Sequence, residues 1–310
     1  MNPEPAPWTA QHPAAHATDA PEVRTHPVGP GRRSTHRDTP RSTSPGTSRS
    51  APGEHRADGL TVTLPSPVPL ARARVHPLTR EQATGAVIGW AAGRVPALVV
   101  TPNVDHVVML EHDERFQDAY EAARLQLCDG MPLVLLSRLS GTSLPERVTG
   151  ADLFFDVCAR AAEEGLRVFI AGGMPEVLAK GLAALRERFP SLDITGHSPP
   201  RGFEGTAHDE ELQSRITEAA PDIVMVCLGA PRSEVWAREQ SERYPAVYLC
   251  VGAAIDFAAG TVSRAPAWVQ HAGLEWSYRL LQEPRRMWRR YLLRDSAFVG
   301  IALRQLWRSR

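Results

Sequence analysis

Short apolar runs alternate with helical patterns between about residues 70 and 263, and this alternation limits the fold more than any other feature. Thr79 and Gln82 have the spacing of a capping box, which predicts a helix to about Gly93. A buried strand is predicted next at 97–101, and further strands at 126–128, 167–171, 192–196, 223–228 and 247–251. Strands separated by helices need crossover connections. We therefore predict an α/β fold with a mostly parallel, doubly wound sheet and helices on both faces.

The segment 1–69 differs from the rest of the chain in composition. It is rich in Pro, Ser and Arg and has one aromatic residue, Trp8. Such a segment cannot bury enough apolar surface to offset the entropy of ordering it, so we predict that it is disordered. Arg32 and Arg33 are not followed by the apolar stretch of a twin-arginine export signal. A start codon placed too far upstream would give the same composition.

The segment 264–310 carries a concentrated positive charge. It contains 10 arginines and 3 acidic residues, although the whole chain balances 35 basic against 35 acidic residues. Helical patterns at 265–282 and 284–307 are rich in Trp and Arg. We predict a basic helical appendage after an α/β domain at 70–263. Its regularly spaced arginines are typical of a solvated helix face and also of an anion-binding face.

Several function classes find no support in the composition and motifs. No stretch of about 18 apolar residues could cross a bilayer, which argues against an integral membrane protein. The 4 cysteines form no Cys-x-x-Cys pair, so neither a zinc module nor a disulfide framework is indicated, and the cytoplasm is the expected compartment. The chain lacks a Gly-x-Ser-x-Gly elbow, the full dinucleotide fingerprint and an Asp-x-Asp pair. No metal, cofactor or nucleic-acid partner is expected.

Polar residues follow three of the predicted strands. They are Thr101 to Asn103, Asp129 with Gly130, and Gly229 to Pro231. Ligands of open α/β sheets bind beyond the carboxyl ends of the strands, so these positions are candidates for a site. Asp129 could act there as a general base, and an Asp-Gly turn explains the same residues equally well.

Two further features could bind an anion. Gly172 and Gly173 lie between a predicted strand and a predicted helix, where backbone N–H groups can face a phosphate. Arg147 precedes a helix that Thr149 and Asp152 can cap. Arg147 has no such local role, which leaves an anion ligand and a surface ion pair as alternatives. Any bound diphosphate would have to be neutralised by arginines and helix N-termini.

Taken in order along the chain, the motifs resemble those of the WecG/TagA/CpsF family of bacterial glycosyltransferases from about residue 75 to residue 293. The motifs are Thr101-Pro-Asn-Val-Asp-His106, Asp129-Gly130, Arg147-Val-Thr-Gly-Ala-Asp152, Ala171-Gly-Gly173, Gly229-Ala-Pro231 with Glu234, Gly252 to Asp256 with Gly260, Arg264-Ala-Pro-x-Trp268, and Gly273-Leu-Glu-Trp276 through Arg279 and Glu283-Pro284 to Arg290-Tyr291.

The resemblance implies a Rossmann-like fold and an inverting, metal-independent glycosyltransferase. The expected donor is a UDP-sugar, most often N-acetylmannosamine or its uronic acid. The expected acceptor is undecaprenyl-diphosphate-linked N-acetylglucosamine at the inner face of the cytoplasmic membrane. Products of the family enter teichoic acid and other cell-surface polysaccharides. The protein would be cytoplasmic and peripherally bound to that membrane, and the family allows a homo-oligomer.

The resemblance also assigns roles residue by residue. Asp129 matches the general base, and Thr101 matches a hydroxyl in the same pocket. The positions that match substrate-binding residues are Asn103, Arg147, Gly172, Gly173, Gly229, Pro231, Ser233, Glu234, Arg279, Arg286 and Arg289. The last three would stabilise charge on the departing UDP. The basic appendage also suits an anionic membrane surface, with Trp268, Trp276, Trp288 and Trp307 at the interface.

One position departs from the family pattern and keeps an alternative open. Ser233 stands where the family usually has Gln, so one hydroxyl replaces an amide with more hydrogen-bonding groups. A different UDP-hexosyl transfer, such as glucosyl transfer in exopolysaccharide assembly, is the enzymatic alternative. A non-catalytic scaffold that binds nucleotide sugars is the alternative from another class. A dehydrogenase ranks last, because the dinucleotide fingerprint is incomplete.

Overall fold

A computed structural model of the protein describes residues 62–263, 265–266, 269, 278, 281 and 296–308. The main element is a six-stranded sheet in which every neighbouring pair is parallel. Its strands, numbered after a short hairpin, are β3 (Ala97–Val100), β4 (Leu125–Gln126), β5 (Val168–Gly172), β6 (Ile194–His197), β7 (Ile223–Cys227) and β8 (Val247–Cys250). The parallel sheet confirms the predicted fold class.

Helices cover both faces of this sheet, as the alternating pattern predicts. One face is covered by α1 (Arg80–Ala92), α5 (Gly150–Glu164), α6 (Pro175–Arg188) and α9 (Ala254–Ala258). The other face is covered by α2 (Val104–Met109), α3 (Glu114–Ala122), α4 (Met131–Leu139), α7 (Ala207–Ala219), α8 (Arg232–Ser241) and α10 (Ala297–Arg308). Within β3, Val99 packs on the first face, and Leu98 and Val100 pack on the second. Two apolar cores therefore enclose the sheet, which is why its strands read as continuous apolar runs.

The strand order β4-β3-β8-β7-β5-β6 predicts a crevice near the middle of the sheet, at the carboxyl ends of the strands. The chain leaves β3 towards β4 at one edge and leaves β5 towards β6 at the other edge. The loops after β3 and β5 therefore diverge above the carboxyl ends of β8 and β7. A crevice at such a switch point is where open α/β sheets bind ligands.

A short antiparallel hairpin was not predicted. It consists of β1 (Val68–Leu70) and β2 (Ala73–Val75), each of three residues. Gln305 of α10 joins the hairpin to the end of the chain, since its side chain accepts from the Ala71 amide at 2.6 Å and donates to the Pro69 carbonyl at 3.0 Å. Ile301, on the same helix, is buried in the second core. The helix α10 is thereby fixed on the α/β domain.

Candidate active site

The loop after β3 is fixed over the end of β8. Thr101 is buried, and its hydroxyl donates to the carbonyl oxygen of Cys250 at 3.4 Å. Asn103 begins α2 as its N-cap, and its Oδ1 accepts from the backbone amide of His106 at 3.2 Å. The cap fixes the Asn103 side chain at the start of α2, next to the end of β3.

Asp129 lies where three chain segments meet. Its backbone amide donates to the Pro102 carbonyl at 2.9 Å, and its Oδ2 accepts from the Gly150 amide at 3.2 Å. Gly150 is the first residue of α5, and the positive end of a helix favours a negative charge on a carboxylate there. A Cβ added to Gly150 would lie 3.1 Å from Thr101 Oγ1 and 3.3 Å from the Cα of Val251. The glycine therefore allows Asp129 and Thr101 to lie beside the same amide.

Arg147 belongs to the same corner of the sheet. The adjacent Val148 amide donates to the Cys128 carbonyl at 2.9 Å, which joins this segment to the residue before Asp129. The pKa of the Cys128 thiol is raised to about 12, chiefly by burial and also by the charge of Asp129, whereas the charge of Arg147 lowers it. The charges of Asp129 and Arg147 thus both act on the Cys128 thiol, which places the two side chains near each other. Thr149 caps α5 as its local sequence predicts, accepting from the Asp152 amide at 3.0 Å.

The glycine turn after β5 lies across the sheet from Asp129. Gly172 and Gly173 have φ angles of +111° and +78°, which side chains rarely adopt. The Gly173 amide donates to the carbonyl of Cys227 at 3.1 Å, and its own carbonyl accepts from the Ser198 hydroxyl at 2.5 Å. Pro175 begins α6 without a side-chain cap on its first turn. The Gly173 amide, predicted to face a phosphate, is therefore already paired with the end of β7, and the uncapped first turn of α6 is the part of this segment that can offer amides to an anion.

The predicted site residues that follow β7 fall into two groups that differ in burial. Gly229, with φ of +80°, and Pro231 lie at the half-buried end of β7. Ser233 and Glu234 point inward and are 1% and 3% exposed. The Ser233 hydroxyl oxygen accepts from the Leu228 amide at 3.1 Å, so it holds the loop. The structure thus places these two polar side chains behind the loop.

A family model described as "Glycosyl transferase WecG/TagA/CpsF family" matches residues 68–310 of this chain. The chain belongs to this glycosyltransferase family. One curated relative is the N-acetylglucosaminyldiphosphoundecaprenol N-acetyl-beta-D-mannosaminyltransferase of Bacillus spizizenii (strain ATCC 23059 / NRRL B-14472 / W23). The relative is 33% identical over 198 residues, which cover 63% of this chain and 75% of the relative.

Part of the predicted site of this glycosyltransferase lies outside the described residues. This holds for Arg279, Arg286 and Arg289, and for the tryptophans at 268, 276 and 288. The predictions for residues 1–61 lie outside them too. Within the ranges that the structure describes, no group of three or more His, Cys, Asp and Glu side chains could hold a metal ion.

Sequence reasoning did not identify two contributors to the glycosyltransferase site. The first is Gly150, read only as part of a helix start, whose amide holds Asp129. The second is the burial of a group of titratable side chains behind Thr101 and Asn103, of which only Glu234 was assigned a role, as a substrate-binding position: Asp105, His106, Tyr120, Glu234 and Cys250. The motifs contain Asp105, His106 and Glu234, but an acidic residue in a first helical turn normally indicates a solvated helix end.

Proposed function

We propose that this glycosyltransferase moves N-acetylmannosamine, or its uronic acid, from a UDP donor to undecaprenyl-diphosphate-linked N-acetylglucosamine. The observation that carries the proposal is the position of Asp129. Its carboxylate is held by the Gly150 amide at the switch-point crevice, beside the Thr101 hydroxyl. The name of the Bacillus spizizenii relative supports the same sugar and the same lipid-linked acceptor.

In this proposal Asp129 is the general base of an inverting transfer. The acceptor hydroxyl attacks the anomeric carbon of the donor sugar, and the bond from that carbon to the UDP oxygen breaks. The electron pair of that bond leaves with UDP, and the hydroxyl proton passes to Asp129. The hydrogen bond from the Gly150 amide to Oδ2 would hold the carboxylate in place for this proton transfer. Thr101 would complete the wall of the pocket next to the carboxylate.

Arginines and backbone amides would neutralise the donor diphosphate without a metal. Gly172 and Gly173 lie across the crevice from Asp129, and Gly229 lies at the end of β7 between them. Arg147, whose charge acts on Cys128, would be one cation of the site. The family resemblance assigns the others to Arg279, Arg286 and Arg289. Asn103 would orient sugar hydroxyls, as the family resemblance implies.

The acceptor is lipid-linked, and an exposed apolar stripe supports docking at the inner face of the cytoplasmic membrane. Val299, Leu303 and Trp307 recur at four-residue spacing on α10 and are 61%, 61% and 87% exposed. Leu135 and Leu139 are also exposed, on the helix that follows Asp129. Among the described residues, no helix is both long enough and apolar enough to span a bilayer. Surface binding through these side chains would bring the acceptor to the site.

The glucosyl alternative depends on Ser233, the residue that departs from the family pattern. Its hydroxyl oxygen accepts from the Leu228 amide inside the loop. A buried hydroxyl used in this way gives no specific support for a different donor sugar. The scaffold alternative leaves the arrangement of Asp129, Thr101 and Gly150 without a purpose.

The proposal is tested by following UDP release from a panel of UDP-sugars, with a lipid-diphosphate N-acetylglucosamine analogue and EDTA present. We expect release with UDP-N-acetylmannosamine or its uronic acid, dependent on the acceptor. Asp129→Asn should lower turnover by about 10²- to 10⁴-fold and leave UDP binding intact. If the Asp129→Asn variant keeps its activity, Asp129 is not the general base. Release with UDP-glucose alone would favour hexosyl transfer, and no release from folded protein would favour the scaffold.

A further inference from the structure

Five buried titratable side chains form a cluster behind the candidate active site. They come from four elements, α2, α3, α8 and β8, and are Asp105, His106, Tyr120, Glu234 and Cys250, all at most 6% exposed. Two of these elements also build the site, because Asn103 caps α2 and the Thr101 hydroxyl donates to the Cys250 carbonyl. Any change of charge in the cluster therefore occurs next to the groups that would contact substrate.

Glu234 has a buried, unsatisfied carboxylate oxygen in this cluster. His106 Nδ1 and the Tyr120 hydroxyl are hydrogen-bonded to each other at 2.7 Å. The buried Oε2 of Glu234, by contrast, has no hydrogen-bond partner among the described residues, and no described basic side chain forms an ion pair with it. A buried carboxylate without a counter-charge is costly, whereas the neutral acid is much less so.

The charges around Glu234 also favour its neutral form. The pKa of Glu234 is raised to about 7, chiefly by burial and also by the charge of Asp105, against the opposing effect of a hydrogen bond from its own backbone. The charges of Glu234 and Asp129 in turn raise the pKa of the Tyr120 hydroxyl, after the larger effect of burial. Glu234 also raises the pKa of the Cys250 thiol. These groups therefore share one electrostatic environment that includes Asp129.

We propose that Glu234 is a positioning residue that must be neutral for the donor to bind well, and that its ionisation weakens donor binding. This inference rests on the proposed function, in which the crevice receives a diphosphate. An ionised Glu234 would place a second negative charge beside Asp105 and near Asp129, in an interior of low dielectric. Such a charge repels an anionic ligand at the strand ends and disturbs the first turn of α2 below Asn103.

The test compares the full-length wild type with Glu234→Gln from pH 6 to pH 8.5. For the wild type we expect the donor KM to rise about 3- to 10-fold over this range, with a much smaller change in kcat. Gln is neutral and of the same size, so the donor KM of Glu234→Gln should stay nearly constant. The matched control is Glu239→Gln on the same helix, where Glu239 is exposed and pairs with Arg115. It should keep the wild-type profile.

A second variant gives a shift that simple loss of packing would not produce. The negative charge of Asp105 raises the pKa of Glu234, so Asp105→Asn should move the rise in donor KM to lower pH. An unchanged alkaline rise in Glu234→Gln would overturn the proposal, and so would a shift to higher pH in Asp105→Asn.

Unfolding experiments separate this inference from the proposed function. The unfolded state ionises Glu234 near pH 4.5 and the folded state near pH 7, so native stability is lost as the pH rises between these values. The unfolding constant of the wild type relative to Glu234→Gln should therefore rise about 100-fold between pH 5 and pH 8. If this ratio of unfolding constants does not change with pH, Glu234 is not held neutral in the native protein, even if sugar transfer is observed. A 100-fold change without turnover of any donor would instead refute the proposed function.

Discussion

Replacing Gly172 by alanine tests whether the turn after β5 is determined by packing as well as by ligand binding. Gly172 ends β5 and pairs with Cys227 at the end of β7. Its φ of +111° lies in a region that side chains rarely adopt. An added Cβ would lie 2.7 Å from the carbonyl oxygen of Cys227 and 2.9 Å from a Leu228 methyl group. The nearest atom belongs to the backbone, so the strands would have to separate.

The expected loss of stability in Gly172→Ala has two sources, which are backbone strain and crowding of a packed site. A non-glycine residue in a sparsely populated backbone region costs about 1–3 kcal/mol. Forcing an extra methyl group into a packed site costs about 1–3 kcal/mol more. Gly172→Ala should therefore lower the free energy of unfolding by about 2–6 kcal/mol. A typical domain has only about 5–15 kcal/mol in total, so the variant should be visibly destabilised.

Urea unfolding followed by tryptophan fluorescence measures this difference. With a slope of about 3 kcal/mol per M, the midpoint should fall by about 0.7–2 M. The matched control is Gly85→Ala in α1, where an added Cβ meets no atom within 4 Å. That variant should be more stable by about 0.5–1 kcal/mol, because Ala favours a helix interior. A Gly172→Ala midpoint equal to the wild type, with the control shifted upwards, would refute the packing argument.

Two other predictions concern the cysteines and the membrane surface. Burial raises the pKa of the thiols of Cys128, Cys158, Cys227 and Cys250. A thiol reagent at pH 8 should therefore label none of the four in the native protein and all of them in urea. Rapid labelling of the native protein would contradict their burial. Replacing Leu303 and Trp307 together by Asp should lower binding to anionic phospholipid vesicles at least about 10-fold in a sedimentation assay, without changing the unfolding midpoint. Unchanged vesicle binding would show that the stripe on α10 is not the docking surface.

Much of the fold could be predicted because its signals are local and periodic. Thr79 and Gln82 form the capping box expected from their spacing, and α1 follows them. The strands β3, β5, β7 and β8 coincide with the predicted apolar runs to within one or two residues. Parallel order then follows from the crossover helices, and it places Thr101 and Asp129 at the same edge of the sheet. The approximate location of the site is thus a consequence of topology.

The parts that could not be predicted depend on contacts between residues distant in sequence. Gly150 is 21 residues from Asp129, and nothing in its local sequence indicates that its amide holds that carboxylate. Glu234 occupies the first turn of α8, where an acidic residue normally faces solvent and interacts with the helix dipole. Its burial results from the packing of α8 against α3 and β3, which a single helix pattern does not encode.

The charges of the crevice give a reason for the uneven distribution of arginine along the chain. Around the ends of β3 and β8, the described residues include three carboxyl groups, Asp105, Asp129 and Glu234, and one nearby cation, Arg147. Under the proposed function this corner must accept two diphosphates, which a negative crevice would repel. A neutral Glu234 reduces that repulsion, and the net charge of +7 on residues 264–310 can offset the rest. We therefore infer that neutral replacements of the arginines in this segment would weaken donor binding.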